Sequence, residues 1–185
     1  MGIQLQPTLW RTCRVLAHRE RLRIFLLLIR QNEMSVSEVA DALKRPLSEA
    51  SEYLRSLNAR GLLAVRRSGK FVYYRIGSDS SLPDSAQLLE SVTRRCKEPG
   101  NAVQDVYRNV TALTHPRRII IIRLLAERPL SPEALRVRIG ASYGSIWRHL
   151  NKLKVRGFIE KNGRQYRLAR PSDDLRQTLL HLAMH

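Results

Sequence analysis

Apolar and polar positions along the chain recur twice in one order. The unbroken apolar stretch Ile24 to Ile29 is matched nearly a hundred residues later by Ile119 to Ile122. Downstream of the first, Ser35 with Glu38 has the form of a capping box. Downstream of the second, Ser131 before Pro132 has the form of an N-cap with proline at the first helical position, so a short helix is predicted at the same place in each half. A second helix is predicted over Leu47 to Arg60 and over Ser142 to Arg156. Its buried stripe is Ala50, Leu54 and Leu57 in one half and Ile146, Leu150 and Leu153 in the other, at i, i+4, i+7. Gly61 and Gly157 end these helices. Leu62 to Arg67 and Phe71 to Ile76, around Ser68-Gly69-Lys70, predict a β-hairpin, as do Phe158 to Lys161 and Gln165 to Ala169 around Asn162-Gly163-Arg164. Further helices are predicted over Leu82 to Lys97 and Ser172 to Met184, the latter begun by Ser172 with Asp173 and Asp174 in its first turn.

The correspondence extends to residue identity. Leu16-Ala17-His18-Arg19-Glu20-Arg21-Leu22 parallels Leu113-Thr114-His115-Pro116-Arg117-Arg118-Ile119 at an offset of 97. From Ser35 to Leu63 the offset is 96, pairing Arg60-Gly61-Leu62-Leu63 with Arg156-Gly157-Phe158-Ile159, and Tyr74-Arg75-Ile76 then matches Tyr166-Arg167-Leu168. Two helices at a short turn, the second ended by glycine and followed by a basic hairpin, make a helix-turn-helix with a wing. The expected fold is mainly α with small β-hairpin wings: tandem winged helix-turn-helix domains, the first over residues 1–99 and the second over 100–185, each with flanking helices.

Leu16-Ala17-His18-Arg19-Glu20-Arg21-Leu22-Arg23-Ile24, together with Ser51-Glu52-Tyr53-Leu54-Arg55-Ser56-Leu57-Asn58-Ala59-Arg60-Gly61-Leu62-Leu63, resembles the ArsR-type winged-helix transcriptional regulators, and the second copy is similar at the same points. The resemblance implies a sequence-specific, repressor-like regulator of double-stranded DNA. It also implies that flanking helices over Thr8 to Ala17, Leu82 to Lys97, Val103 to Leu113 and Ser172 to Met184 mediate subunit-like contacts, giving either an intrachain pseudo-dimer or a homodimer. The sequence departs from the family where many relatives carry paired cysteines, because Ser35 to Leu43 contains neither Cys nor His.

Charge strengthens the nucleic-acid reading. Thirty-three Lys and Arg against sixteen Asp and Glu give a net +17 over 185 residues, which favours a polyanionic partner. Arg supplies 27 of the basic residues, suiting phosphate recognition, although a G- and C-rich genome produces the same bias. With 43% hydrophobic residues the chain can bury a core, which excludes wholesale disorder. The longest apolar run, six residues, falls far short of the roughly 20 that span a bilayer, so no membrane partner is expected. Met1 to Trp10 has no secretory pattern, and a cytoplasmic location is the default expectation.

The second helix of a helix-turn-helix enters the major groove. Counting 100° per residue from Ile146 puts Ser145, Arg148, Lys152 and Arg156 on the outward face, with Ser142 and Tyr143 at the groove end and Lys161, Arg164 and Arg167 on the wing. The first copy offers Ser48, Ser51, Arg55, Arg67 and Lys70. It places Glu49 and Glu52 at the positions of Ser145 and Arg148, which makes the second copy the expected main reader. The bland alternative for such a face is a solvated helix surface. A different class of function, a winged-helix scaffold touching nucleic acid only loosely, is favoured instead by an exposed apolar patch.

No cofactor or metal is expected. His181 and His185 lie four apart on a helix without a third ligand, and Cys13 and Cys96 are either packed thiols or a redox pair. His18 and His115 read as helix-entry residues. No phosphate-cradling glycine loop, HExxH or GxSxG occurs, so catalysis is not expected.

Overall fold

The computed structural model describes residues 8–77 and 83–185. Its elements follow the order α1 (Leu9–Leu16), α2 (Arg19–Gln31), β1 (Glu33–Ser35), α3 (Val36–Leu43), α4 (Leu47–Asn58), β2 (Leu63–Ser68), β3 (Phe71–Ile76) and α5 (Pro83–Lys97) in the amino-terminal half. The carboxy-terminal half continues with α6 (Ala102–Val110), α7 (Pro116–Glu127), α8 (Pro132–Ile139), α9 (Tyr143–Val155), β4 (Ile159–Asn162), β5 (Gln165–Leu168) and α10 (Asp174–Met184). The chain is thus mainly helical with small antiparallel sheets, the architecture of a winged helix-turn-helix. Leu82, at the start of one expected helix, and Met1 to Pro7 lie outside the described residues.

Local chemistry sets the helix boundaries. Ser35 Oγ accepts the Glu38 backbone N–H at 3.3 Å while Glu38 Oε2 accepts that of Ser35 at 2.6 Å, so two otherwise orphaned donors at the start of α3 are satisfied, worth about 1 kcal/mol. At α8 the cap is one-sided: Ser131 Oγ accepts the Ala134 N–H at 3.2 Å, and Pro132 takes the first helical position. The last helix departs from expectation: Asp173, not Ser172, is its N-cap, accepting the Arg176 N–H at 2.8 Å. A carboxylate there also favours the positive helix end. Gly61 and Gly157 follow α4 and α9 at φ +66° and +77°, the left-handed region that turns the chain into the hairpins.

One strand has no counterpart among the expected elements. β1 pairs antiparallel with β3, Met34 opposite Tyr74, making a three-stranded sheet in the order β1-β3-β2. In the carboxy-terminal half the same place holds a single bridge, Leu130 to Tyr166, beside the two-stranded β4-β5 sheet. Three residues are too few to show an alternating pattern.

Buried residues of the two halves form one continuous core, including Phe25, Leu54, Leu57 and Leu62 from the first and Ile121, Leu150, Leu153 and Phe158 from the second. The helices between them pair in kind: α1 packs on α6 and α5 on α10, with α2 also against α6. Polar contacts reinforce this seam. Arg94 bridges to Asp174 at 3.0 Å, Ser91 donates to the same carboxylate, and Arg19 donates to Gln104 while stacking over Tyr107. No helix among the described residues is long and apolar enough to cross a membrane.

Candidate nucleic-acid interface

Ser142 begins α9 as its N-cap, its hydroxyl accepting the Ser145 N–H at 3.3 Å. Ser145, Ile146, Leu150 and Leu153 are buried, which fixes the helix phase. The outward stripe therefore comprises Tyr143, Trp147, Arg148, Asn151, Lys154 and Val155. Three residues expected on the outward face are corrected by this phase. Ser145 is only 7% exposed, and its hydroxyl accepts from the Arg117 guanidinium at 3.3 Å. Lys152 is half-buried, facing a cleft rather than the outward stripe, and Arg156 is half-buried too. The reason is that serine is small enough to pack under α7, so the buried stripe is a residue wider than Ile146, Leu150 and Leu153 suggest. Arg148 remains exposed as expected.

Sequence reasoning passes over Trp147, Asn151 and Lys154. Trp147 is 40% exposed and meets Tyr143, itself 50% exposed, edge to face at 6.2 Å between ring centroids. An aromatic at helical spacing ordinarily signals core, and only the position of its neighbours on the wheel distinguishes this one. Exposed rings of this kind can pack on a thymine methyl, and an asparagine amide such as that of Asn151 can donate to N7 and accept from N6 of adenine.

On the carboxy-terminal wing Lys161 and Arg164 are exposed, and no carboxylate among the described residues pairs with them or with Arg148. Arg167 is engaged, its Nε donating to Glu160 directly across the β4-β5 ladder at 2.6 Å. The amino-terminal wing is built similarly: Arg66 binds Glu33 of β1 through both carboxylate oxygens, at 3.1 and 2.5 Å, leaving Arg67 and Lys70 exposed. This contact holds the Glu33 carboxyl below its usual range.

The face of α4 is poorer in free cations. Ser48, Glu52 and Arg55 are exposed, but Ser51 is half-buried and the Arg55 guanidinium turns back to the Ser51 carbonyl at 3.3 Å. Glu49 is half-buried, accepting from the Tyr53 hydroxyl at 3.5 Å, so it shares the shielded position of Ser145.

Histidines stand at equivalent junctions. His18 and His115 are the N-caps of α2 and α7, and His115 Nδ1 accepts the Arg117 N–H at 3.1 Å. His18 meets Tyr53 at 5.1 Å and His115 meets His149 at 4.5 Å between centroids. Burial, then the neighbouring His115 and arginines, push His149 down to about 4. The His181 and His185 rings lie 4.5 Å apart, yet among the described residues no group of three or more His, Cys, Asp or Glu is placed to hold a metal. Cys13 and Cys96 are free, and burial pushes their thiols up to about 12 and about 11.

Residues 16–66 match the family model of a helix-turn-helix domain. The chain is 33% identical over 97 residues to the arsenical resistance operon repressor of Escherichia coli, spanning 52% of this chain and 80% of that protein. It is 39% identical over 61 residues to the arsenic resistance transcriptional regulator ArsR1 of Pseudomonas putida, spanning 33% of this chain and 48% of that one. Among solved structures HlyU from Vibrio cholerae is similar at 30% identity and a TM-score of 0.35, covering 44% of this chain and 83% of that one. A third of the aligned residues shared across four-fifths of the Escherichia coli repressor, on a helix-turn-helix with a basic wing, settles the family: the chain belongs to the ArsR-type winged helix-turn-helix regulators, which are DNA-binding transcriptional regulators.

Proposed function

We propose that the chain is a sequence-specific, repressor-like regulator of double-stranded DNA in the cytoplasm, built as two tandem winged-helix domains, 1–99 and 100–185, that form a dimer-like pair within one chain. Its flanking helices α1, α5, α6 and α10 take the role that subunit contacts play in a two-chain regulator. The carboxy-terminal copy is the principal reader. One observation carries that assignment: on the exposed face of the second helix, Arg148 stands unpaired where the amino-terminal copy has Glu52. Close to phosphates an arginine adds to affinity, and at guanine it adds specificity, whereas a glutamate subtracts from the electrostatic part.

Ser142 and Tyr143 at the groove end, with Lys161 and Arg164 on the wing, complete the reading surface, joined by Trp147, Asn151 and Lys154. Lys152 and Arg167 act from its margin. Ser48, Arg55, Arg67 and Lys70 give the amino-terminal copy an accessory contact. Arg148→Glu should lower affinity for a selected site by at least roughly 10- to 100-fold, the value of one bidentate base contact, with helicity by circular dichroism unchanged. Unaltered affinity at fixed salt refutes the assigned reader.

The exposed Tyr143, Trp147 and Val155 favour a second reading, a scaffold for a protein complex with loose nucleic-acid contact. Selection from a random duplex pool separates the two: a defined motif is expected of a regulator, and none of a scaffold.

A further inference from the structure

A cleft of about 580 Å³ opens where the two halves meet, lined from α1 and α2 by Arg14 and Arg21, from the turn into α7 by Thr114 and His115, from α7 by Arg118 and from α9 by Lys152. No carboxylate lines it among the described residues. Four cationic side chains, each from a different helix, thus converge without a counter-charge of their own on the wall. Like charges held together in a partly dehydrated site repel more strongly than at an open surface, which is a standing cost unless an anion offsets it.

Arg118 makes the case specific. It is 9% exposed, one of its terminal nitrogens donates to Thr114 Oγ1 at 2.5 Å, and its Nε is buried with no hydrogen-bond partner. Cys13 lies beside it but supplies no negative charge, because burial holds that thiol protonated. Arg21 is better provided for, donating to the Val15 carbonyl at 2.5 Å and lying near Glu52. Lys152 is lowered from its ordinary range by burial and then by Arg156 and Arg118, and His115 by burial and then by Arg118 and Arg117. Burial leads both of these last shifts, and the neighbouring cations add to it in the same direction.

We propose that this cleft is a binding site for a phosphate-type oxyanion, gripped by Arg118, Lys152 and Arg14. Two sources carry that chemistry: a backbone phosphate of the bound duplex, or a small free phosphate compound. Because Lys152 belongs to the proposed reading helix and Arg117 donates to Ser145 of the same helix, an occupant acts on the orientation of α9 in either case. The site extends the DNA-reading proposal without depending on which residues contact bases.

Titration of the full chain with pyrophosphate at low salt, followed by calorimetry, tests it. One equivalent should bind the unmodified protein, and Arg118→Gln should weaken that binding roughly tenfold, the value of one or two charge-assisted hydrogen bonds. Arg128→Gln with Arg170→Gln, which removes two exposed charges elsewhere, should leave it unchanged. Should Arg118→Gln fail to fold, Arg14→Gln with Lys152→Gln tests the same cleft from its less buried wall. A backbone phosphate as occupant predicts that pyrophosphate competes with duplex, and that Arg118→Gln lowers the slope of log affinity against log salt by about one. A free compound predicts wild-type duplex binding by Arg118→Gln in the absence of pyrophosphate. Equal pyrophosphate binding in every variant, together with an unchanged duplex salt slope in Arg118→Gln, overturns the site. The calorimetric arm needs no DNA, so the cleft and the Arg148 reading fail separately.

Discussion

The amino-terminal and carboxy-terminal halves place the same helices and hairpin in the same order, with β1 reduced to a single bridge in the second, and differ at the points that face outward or toward the seam. Glu52 stands where Arg148 does, Ser51 where Trp147 does, and Tyr53 where His149 does, while the cores beneath keep Leu54 with Leu150 and Leu57 with Leu153. Burial constrains a core position to apolar residues of similar volume, whereas an exposed helix face can change sign of charge at little cost in stability. The halves therefore teach that one frame supports two surfaces: the second helix of one carries an unpaired Arg148 beside Tyr143 and Trp147, while that of the other carries Glu52 and an Arg55 turned back on the backbone. The net charges agree, with residues 1–100 at +7 and residues 101–185 at +10.

The largest effect expected of any change to this comparison lies in the shared core. Leu54→Ala and Leu150→Ala remove fully buried side chains at equivalent positions, and each should cost about 2–5 kcal/mol in urea denaturation. Because the core runs without a break across the α1-α6 and α5-α10 seam, either variant should lower the midpoint of one cooperative transition. Two separated transitions would mean that the halves fold as independent units.

Next in size are exchanges of surface charge. Glu49→Ser with Glu52→Arg copies the carboxy-terminal helix into α4 and should tighten non-specific duplex binding, raising the salt slope by about one because a further phosphate is neutralised. Arg148→Ala, Lys154→Ala and Arg164→Ala together should lower the slope by up to about three, and Arg55→Ala with Lys70→Ala by less. A slope carried chiefly by the second pair would reverse the comparison. Unequal heads also predict an asymmetric footprint for a monomer. A palindromic one accompanied by a dimer mass means that like copies from two chains read the half-sites.

Much of this frame is legible in the sequence because its signals are local. Ser35 with Glu38, Ser131 with Pro132, and the glycines after α4 and α9 act over three or four residues, and each lies at the expected boundary. The phase of α9 differs from the expected one by about one residue, since a serine gives no sign of whether it packs inward, and burial of Ser145 depends on Arg117 from another helix. β1 is invisible to such reasoning because its pairing with β3 spans about forty residues and leaves no pattern in Glu33-Met34-Ser35. The Arg118 cleft is hidden for a related reason, its walls coming from helices of both halves.

A smaller difference sits at the turn before each second helix. The carboxy-terminal half ends α8 with Gly140 at φ +64°, while the amino-terminal half ends α3 with Lys44 at φ +53°. A residue with a Cβ strains there by about 1–2 kcal/mol, and glycine's greater freedom in the unfolded chain returns about 0.5–1 kcal/mol of that. Lys44→Gly should therefore stabilise by about 0.5–1 kcal/mol in thermal or urea unfolding. A loss of stability would show that the lysine side chain makes a compensating contact.

The smallest effect concerns Tyr53 against His149, and it appears only as pH falls. His149 is held at about 4, against an ordinary 6.5, by burial and by the positive groups around it: His115, Arg118, Arg117 and Arg148. Between those two pH values the unfolded chain takes up a proton on this imidazole that the folded chain does not, and whichever state binds more protons gains as pH drops. Stability is thus whole above about 6.5 and is lost progressively toward about 4. The side chain is partly open to solvent, so screening reduces the loss below what the full shift implies. His18 and His115 are lowered as well and add slope of the same sign. His149→Tyr, which copies the amino-terminal half, introduces a group that does not titrate in this range. Its unfolding midpoint should decline less steeply than that of the unmodified protein between pH 6.5 and about 5, before Glu33, Glu38 and Glu133 begin to protonate. Parallel declines for the two proteins would remove His149 from the pH response and leave it to the two capping histidines.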